Sequence, residues 1–204
     1  MRIRRTTTLP ALSALRCLHA AVVRRRRSIA VLWLLVTFTA TFSQTATMQE
    51  YQVKAALIYN FSQFIEWPAN SFSEANSPLT ICVMGDDPFG DSLLALQKRK
   101  YQTRPIVINY PKTVAEARSC RILYVDDPGK TVLGRDVAKS LGDAPVLTLS
   151  SSEDALNSGI CIGFLPQDGK IRWTLNLEAA RKAHLRISAK LIEIAVAVFG
   201  EASR

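Results

Sequence analysis

Between residues 79 and 150 one pattern recurs: a short apolar run, a polar turn, then a segment of helical character. The runs are Leu79–Met84, Pro105–Tyr110, Arg121–Val125 and Val146–Leu149. Helical segments fall between them, from the Asp86-Asp87-Pro88 turn to about Leu96, from Val114 to Arg118 and near Val132–Leu141. Parallel strands need a crossover long enough to hold a helix, so this alternation predicts an α/β fold. The expected architecture is a mainly parallel sheet with helices on both faces, a Rossmann-like three-layer sandwich. Pro166-Gln167-Asp168-Gly169, between Ile160–Leu165 and Lys170–Leu177, predicts a C-terminal hairpin. Apolar residues at Val53, Leu57, Phe61, Phe64 and Ile65 predict a first helix over 49–66, ended by Trp67-Pro68. Two helical segments, Glu178–Ala183 and Ser188–Phe199, are expected at the end, and Ser150-Ser151-Ser152-Glu153 reads as the cap of a short helix.

The first 46 residues follow different rules. Arg24-Arg25-Arg26-Arg27 precedes an apolar run from Ile29 to Phe38, and small and hydroxyl residues follow. A basic block, an apolar stretch and a small-residue exit are the parts of a secretory signal. The apolar run is far short of the roughly 20 residues a bilayer span needs, which disfavours an uncleaved anchor. Residues 1–46 therefore read as a signal peptide with a basic n-region, and 47–204 as one exported domain in the periplasm. The signal also explains the charge. The chain has 26 basic and 17 acidic residues and a formal charge of +9, but eight arginines and no acid lie in 1–46. The remaining 18 bases and 17 acids leave the body near neutral, so its pI is no argument for nucleic acid.

Few side chains carry chemistry. Beyond the signal stand three cysteines, Cys82, Cys120 and Cys161, and one histidine, His184. No C-x-x-C spacing exists, so a zinc site is excluded. Neither a phosphate-loop glycine pattern nor a G-x-S-x-G elbow occurs. No catalytic residue, metal or cofactor is assigned, and the chain reads as a non-enzyme. A bridge between Cys82 and Cys120 is geometrically open if their strands are neighbours. Cys161 sits in an apolar strand and reads as a buried small hydrophobe, although a free thiol would allow a covalent homodimer.

In doubly wound sheets ligands bind beyond the carboxyl ends of the strands. Asp86, Asp87, Asp126 and Ser150 fall there and form a candidate ligand crevice; the competing reading is that they cap turns and helices. Surplus apolar surface points elsewhere. Leu191, Ile192, Val196 and Phe199 of the expected last helix, with Trp67 near the first, form a candidate partner-binding patch.

Several strings, in order, carry a likeness. They are Val53–Phe61 with Phe64–Pro68, then Ile81–Gly85 with Asp87–Gly90, Cys120–Val125, Pro145–Ser150, Asn176–Arg181 and Leu185–Ser188. Together they resemble the YfiR-like family of periplasmic regulators across residues 50–198. The resemblance implies a non-enzymatic periplasmic protein that represses an inner-membrane diguanylate cyclase by binding its periplasmic sensor domain. It also implies control of cyclic di-GMP and biofilm growth, with an outer-membrane lipoprotein as a second partner. It places Cys82 and Cys120 at a family disulfide, and leaves Cys161 without the partner of a second one. His184 stands where many relatives carry Gly. The alternative reading is a periplasmic small-molecule receptor component.

Overall fold

A computed structural model describes residues 47–74, 76–126, 133–152 and 155–200. The signal expected over 1–46, the Asp127-Pro128-Gly129 turn and the Glu153 cap lie outside the described residues.

The described residues open with helix α1 over 47–62. Its buried positions are Lys54, Ala55, Ile58, Phe61 and Ser62, spaced three and four apart on one face. Strand β1 (Ile65–Glu66) follows, then β2 (Leu79–Met84), α2 (Asp91–Leu94), β3 (Lys100–Tyr101) and β4 (Arg104–Asn109). Next come α3 (Val114–Ala117), β5 (Ile122–Val125), α4 (Leu133–Leu141), β6 (Leu147–Ser150) and β7 (Ile162–Gln167). The end is β8 (Lys170–Asn176), α5 (Leu177–Lys182), β9 (Arg186–Ile187), α6 (Ala189–Glu193) and β10 (Ala197–Phe199).

Among the described residues the main sheet has eight strands in the order β10-β8-β7-β6-β5-β2-β4-β3. Pairs β2–β4, β2–β5, β5–β6, β6–β7 and β8–β10 are parallel, whereas β7–β8 and β3–β4 are antiparallel. The fold is thus mixed α/β around a mostly parallel sheet. Side chains alternate between two cores. Ile81, Val83, Ile122 and Tyr124 face the larger one with α1, while Cys82, Met84, Leu123 and Val125 face the smaller one with Ala117, Val137 and Leu141. Every residue of β5 is buried, as a central strand covered on both faces must be.

Turn chemistry sets the local geometry. β7 and β8 meet at Asp168-Gly169, both at positive φ (52° and 69°), which is the two-residue turn whose twist matches a hairpin. Asn176 caps α5, its Oδ1 accepting the Ala179 N–H at 2.9 Å. At the other end of α5 the His184 N–H donates to Arg181 O and the Leu185 N–H to Ala180 O, both at 2.9 Å. That is a Schellman cap with His184 in the left-handed position at φ 56°. The position favours Gly because a Cβ there costs about 1–2 kcal/mol, offset in part by the extra freedom of unfolded Gly. His184→Gly should therefore raise stability by about 0.5–1 kcal/mol, read as a higher urea midpoint; a lower midpoint would mean that the imidazole makes a contact of its own.

Four expectations are corrected. The first helix ends at 62, and residues 65–66 form β1, which pairs antiparallel with β9. The helix after β2 starts only at Asp91, because the Asp87 side chain is spent on the preceding turn. The expected helix Ser188–Phe199 is a one-turn helix, α6, followed by edge strand β10. Its run of Ile and Val residues suits a strand, and β8 offers an unpaired edge to receive it. Of the short helix expected after Ser152, residues 155–159 form turns instead.

Candidate functional site

Sheet order identifies where the chain reverses direction. β4 and β5 lie on opposite sides of β2, so the switch point falls between β2 and β5, where open α/β sheets bind ligands. Asp86 and Asp126 flank it. Gly85 lets the two strand ends close up: it has φ 99°, and a Cβ there would lie 2.7 Å from the Asp126 carbonyl oxygen. The Asp126 N–H donates to Met84 O at 2.9 Å across the same gap.

Aromatic rings fill this end of the sheet. Tyr51 of α1 meets Phe89 edge to face at 5.2 Å between centroids, and Phe89 meets Tyr124 at 4.8 Å. Tyr124 donates to Ser151 Oγ at 3.0 Å. Burial first, and then the nearby Asp126 charge, raises the Tyr51 phenol above its ordinary value; burial likewise raises Tyr124 strongly. Lys54 extends the arrangement. It is 2% exposed, its ammonium sits 4.3 Å above the Tyr51 ring, and it pairs with Glu50 at 2.5 Å.

The acidic and hydroxyl candidates take up local tasks. Asp87 Oδ1 accepts the Phe89 N–H at 2.8 Å, and its Oδ2 accepts the Tyr110 hydroxyl at 3.0 Å. Burial and that carboxylate push the Tyr110 phenol up to about 12. Ser150 Oγ accepts the Ser152 N–H at 3.1 Å. Asp86 is exposed and Asp126 half-buried. The geometry therefore brings Asp126 and Ser150 to one end of the sheet and uses Asp87 and Ser150 in turns.

The apolar candidates separate. Leu191 is buried in the larger core at 1% exposure, and Ile192 is half-buried. Trp67 is half-buried against Tyr101 and donates to Arg121 O at 3.2 Å, away from β10 in the sheet order. Val196 and Phe199 are about half exposed, at 48% and 50%, and Ile194 joins them at 56%. These three side chains lie on or beside β10, which among the described residues pairs with β8 alone and so leaves an edge that could receive a partner strand. Sequence reasoning had this stretch as a helix and so missed the open edge.

Cys82 and Cys120 form a disulfide with Cα atoms 6.0 Å apart. Cys82 lies in β2 and Cys120 two residues before β5, the neighbouring strand. Both are essentially inaccessible, at 0% and 1% exposure. Cys161 is free and buried, and burial raises its thiol. Among the described residues no cluster of metal-ligating side chains exists, and no helix is long and apolar enough to cross a membrane.

A family model described as YfiR/HmsC-like matches residues 51–196. No curated protein matches the chain. The matched span starts in α1 and ends just before β10, so it includes the disulfide, the switch point and all but one strand of the main sheet.

Proposed function

The chain belongs to the YfiR/HmsC-like family, and on that premise we propose that it is a non-enzymatic periplasmic regulator. In this reading residues 1–46 are its export signal and 47–204 its working domain, a Rossmann-like three-layer sandwich with a C-terminal hairpin. It holds the periplasmic sensor domain of an inner-membrane diguanylate cyclase in an inactive state and so restrains cyclic di-GMP synthesis and biofilm growth. An outer-membrane lipoprotein would compete for it. Such control requires tighter binding to one state of the sensor than to the other.

The family match carries the reading; a second observation supports a place for the contact. Ile194, Val196 and Phe199 leave large apolar side chains in water beside an open strand edge. Apolar residues clustered in this way mark association sites more often than scattered ones do. Of the residues first assigned to a partner patch, Val196 and Phe199 are accessible enough for contact, Ile192 and Trp67 less so, and Leu191 serves the core.

Val196→Asp/Phe199→Asp is expected to weaken binding of the sensor domain at least about 30-fold, the loss of one hot spot of roughly 2 kcal/mol. Cells carrying it should show raised cyclic di-GMP while the variant stays folded by circular dichroism. Unchanged sensor affinity would move the contact elsewhere. Failure of the wild-type protein to bind any cyclase sensor domain would sink the reading itself.

The alternative, a small-molecule receptor component using the crevice of Asp86, Asp87, Asp126 and Ser150, has less support. Tyr51, Phe89 and Tyr124 pack against one another at this end of the sheet, and two of the four polar groups are committed to turns.

A further inference from the structure

A cavity of about 400 Å³ is lined by residues of α4 and α5, with Thr148 of β6, Cys161 just before β7 and Asn176 of β8. Small-molecule sites span roughly 300–1,000 Å³, so the size suits a modest organic ligand. The lining is mixed: Ala138 and Leu141 of α4, Val146, Leu156, and Ala179 of α5 supply its apolar part, while Asn157, Ser158 and Asn176 add neutral polar groups. The floor holds no charged side chain: the Cys161 N–H donates to Thr148 Oγ1 at 3.0 Å, and burial raises the Cys161 thiol.

Charge gathers among the lining residues that remain exposed. Arg135 and Lys139 stand one helical turn apart on α4, and Lys182 comes from α5. Glu178 is the one carboxylate among the described lining residues. None of the three cations makes an ion pair or hydrogen bond with a described residue. Two other guanidinium groups are spent on the fold: Arg118 donates to Ser140 O at 2.8 Å, and Arg104 to Glu74 O and Ser77 O. Like charges at i and i+4 disfavour a helix, and Asp136, three residues before Lys139, offsets only part of that cost. An anion between Arg135, Lys139 and Lys182 would remove the rest.

We propose that this cavity binds a small organic carboxylate with an apolar body. The carboxylate sits among Arg135, Lys139 and Lys182, and the body lies along the wall formed by Leu141, Val146 and Ala179. Arg135 supplies the planar fork that matches a carboxylate, and the lysines act as point charges. The site lies on different elements from the β10 edge and stands or falls independently of the sensor-binding reading.

The test is calorimetric titration of the protein, isolated from its native cells, with octanoate, octanol and inorganic phosphate at low salt. Octanoate should bind saturably, with octanol and phosphate each at least tenfold weaker. Raising salt should weaken octanoate, because exposed cations are screened within about 8 Å at physiological ionic strength. Arg135→Gln/Lys139→Gln should raise the octanoate Kd at least tenfold, and Ala179→Leu, which fills the cavity, should do the same. Both leave buried contacts intact, and an unchanged urea midpoint checks that the fold is kept. The proposal is overturned if octanoate does not saturate, if phosphate binds as tightly as octanoate, or if neither variant changes its affinity.

Discussion

Cys82→Ala/Cys120→Ala is expected to lower the unfolding free energy by about 4 kcal/mol, because the bridge closes a loop with a sequence separation of 38. In the chain-entropy account the effect acts mainly on the unfolded state, whose ends are no longer held together. For a domain of this size it would lower Tm by about 8–16 °C, at roughly 2–4 °C per kcal/mol. Single domains hold only about 5–15 kcal/mol in total, so the variant should be folded but fragile. Both sulfurs are buried, which adds a kinetic expectation. Dithiothreitol should leave the bridge intact in the native protein and cut it once urea opens the chain. A loss under 1 kcal/mol would show that the reduced unfolded chain is already compact around this loop. Rapid reduction under native conditions would show that β2 and the segment before β5 open locally.

Phe61→Ala is expected to cost about 3–5 kcal/mol, the range for truncating a buried aromatic. Phe61 is 1% exposed, with its ring 5.9 Å from Phe164 and 5.1 Å from Trp173 between centroids. It is the largest side chain by which α1 docks on the antiparallel β7–β8 pair. The loss therefore reaches beyond one cavity. Release of α1 would loosen Tyr51 from Phe89 and the β1–β9 pair that follows the helix. Urea unfolding followed by near-ultraviolet dichroism would read both the cost and the loss of aromatic packing. A cost near 1 kcal/mol would mean that neighbouring side chains collapse into the space and that α1 is held chiefly elsewhere.

The candidate sites were legible in unequal parts. Asp87 and Ser150 could be read either as ligands or as caps, since Asp and Ser do both. The Phe89 and Ser152 amides are what they bind, and that contact depends on a turn only the fold forms. Lys54 is a charged residue on the buried face of α1. Its partners Glu50 and Tyr51 lie within four residues, so spacing alone could have shown that its charge is covered. The cation group at the α4–α5 cavity had no sequence signal beyond Arg135 and Lys139 at i and i+4. Lys182 joins them only because α5 packs on the same stretch of sheet.

Elements whose cause is local were determined by the sequence. The four apolar runs became β2, β4, β5 and β6 because their patterns suit strands in any context. Asp168-Gly169 made a hairpin turn because both residues tolerate positive φ. Tertiary structure decided what depends on distant neighbours. β1 and β9 are two residues each and exist only through one another. β10 is a strand because β8 offers an edge, although its residues would equally suit one face of a helix. The disulfide required Cys82 and Cys120 to meet, and sheet order, with β5 beside β2, brought them together. Periodicity reports the solvent a residue prefers; it carries no record of which distant segment supplies that environment.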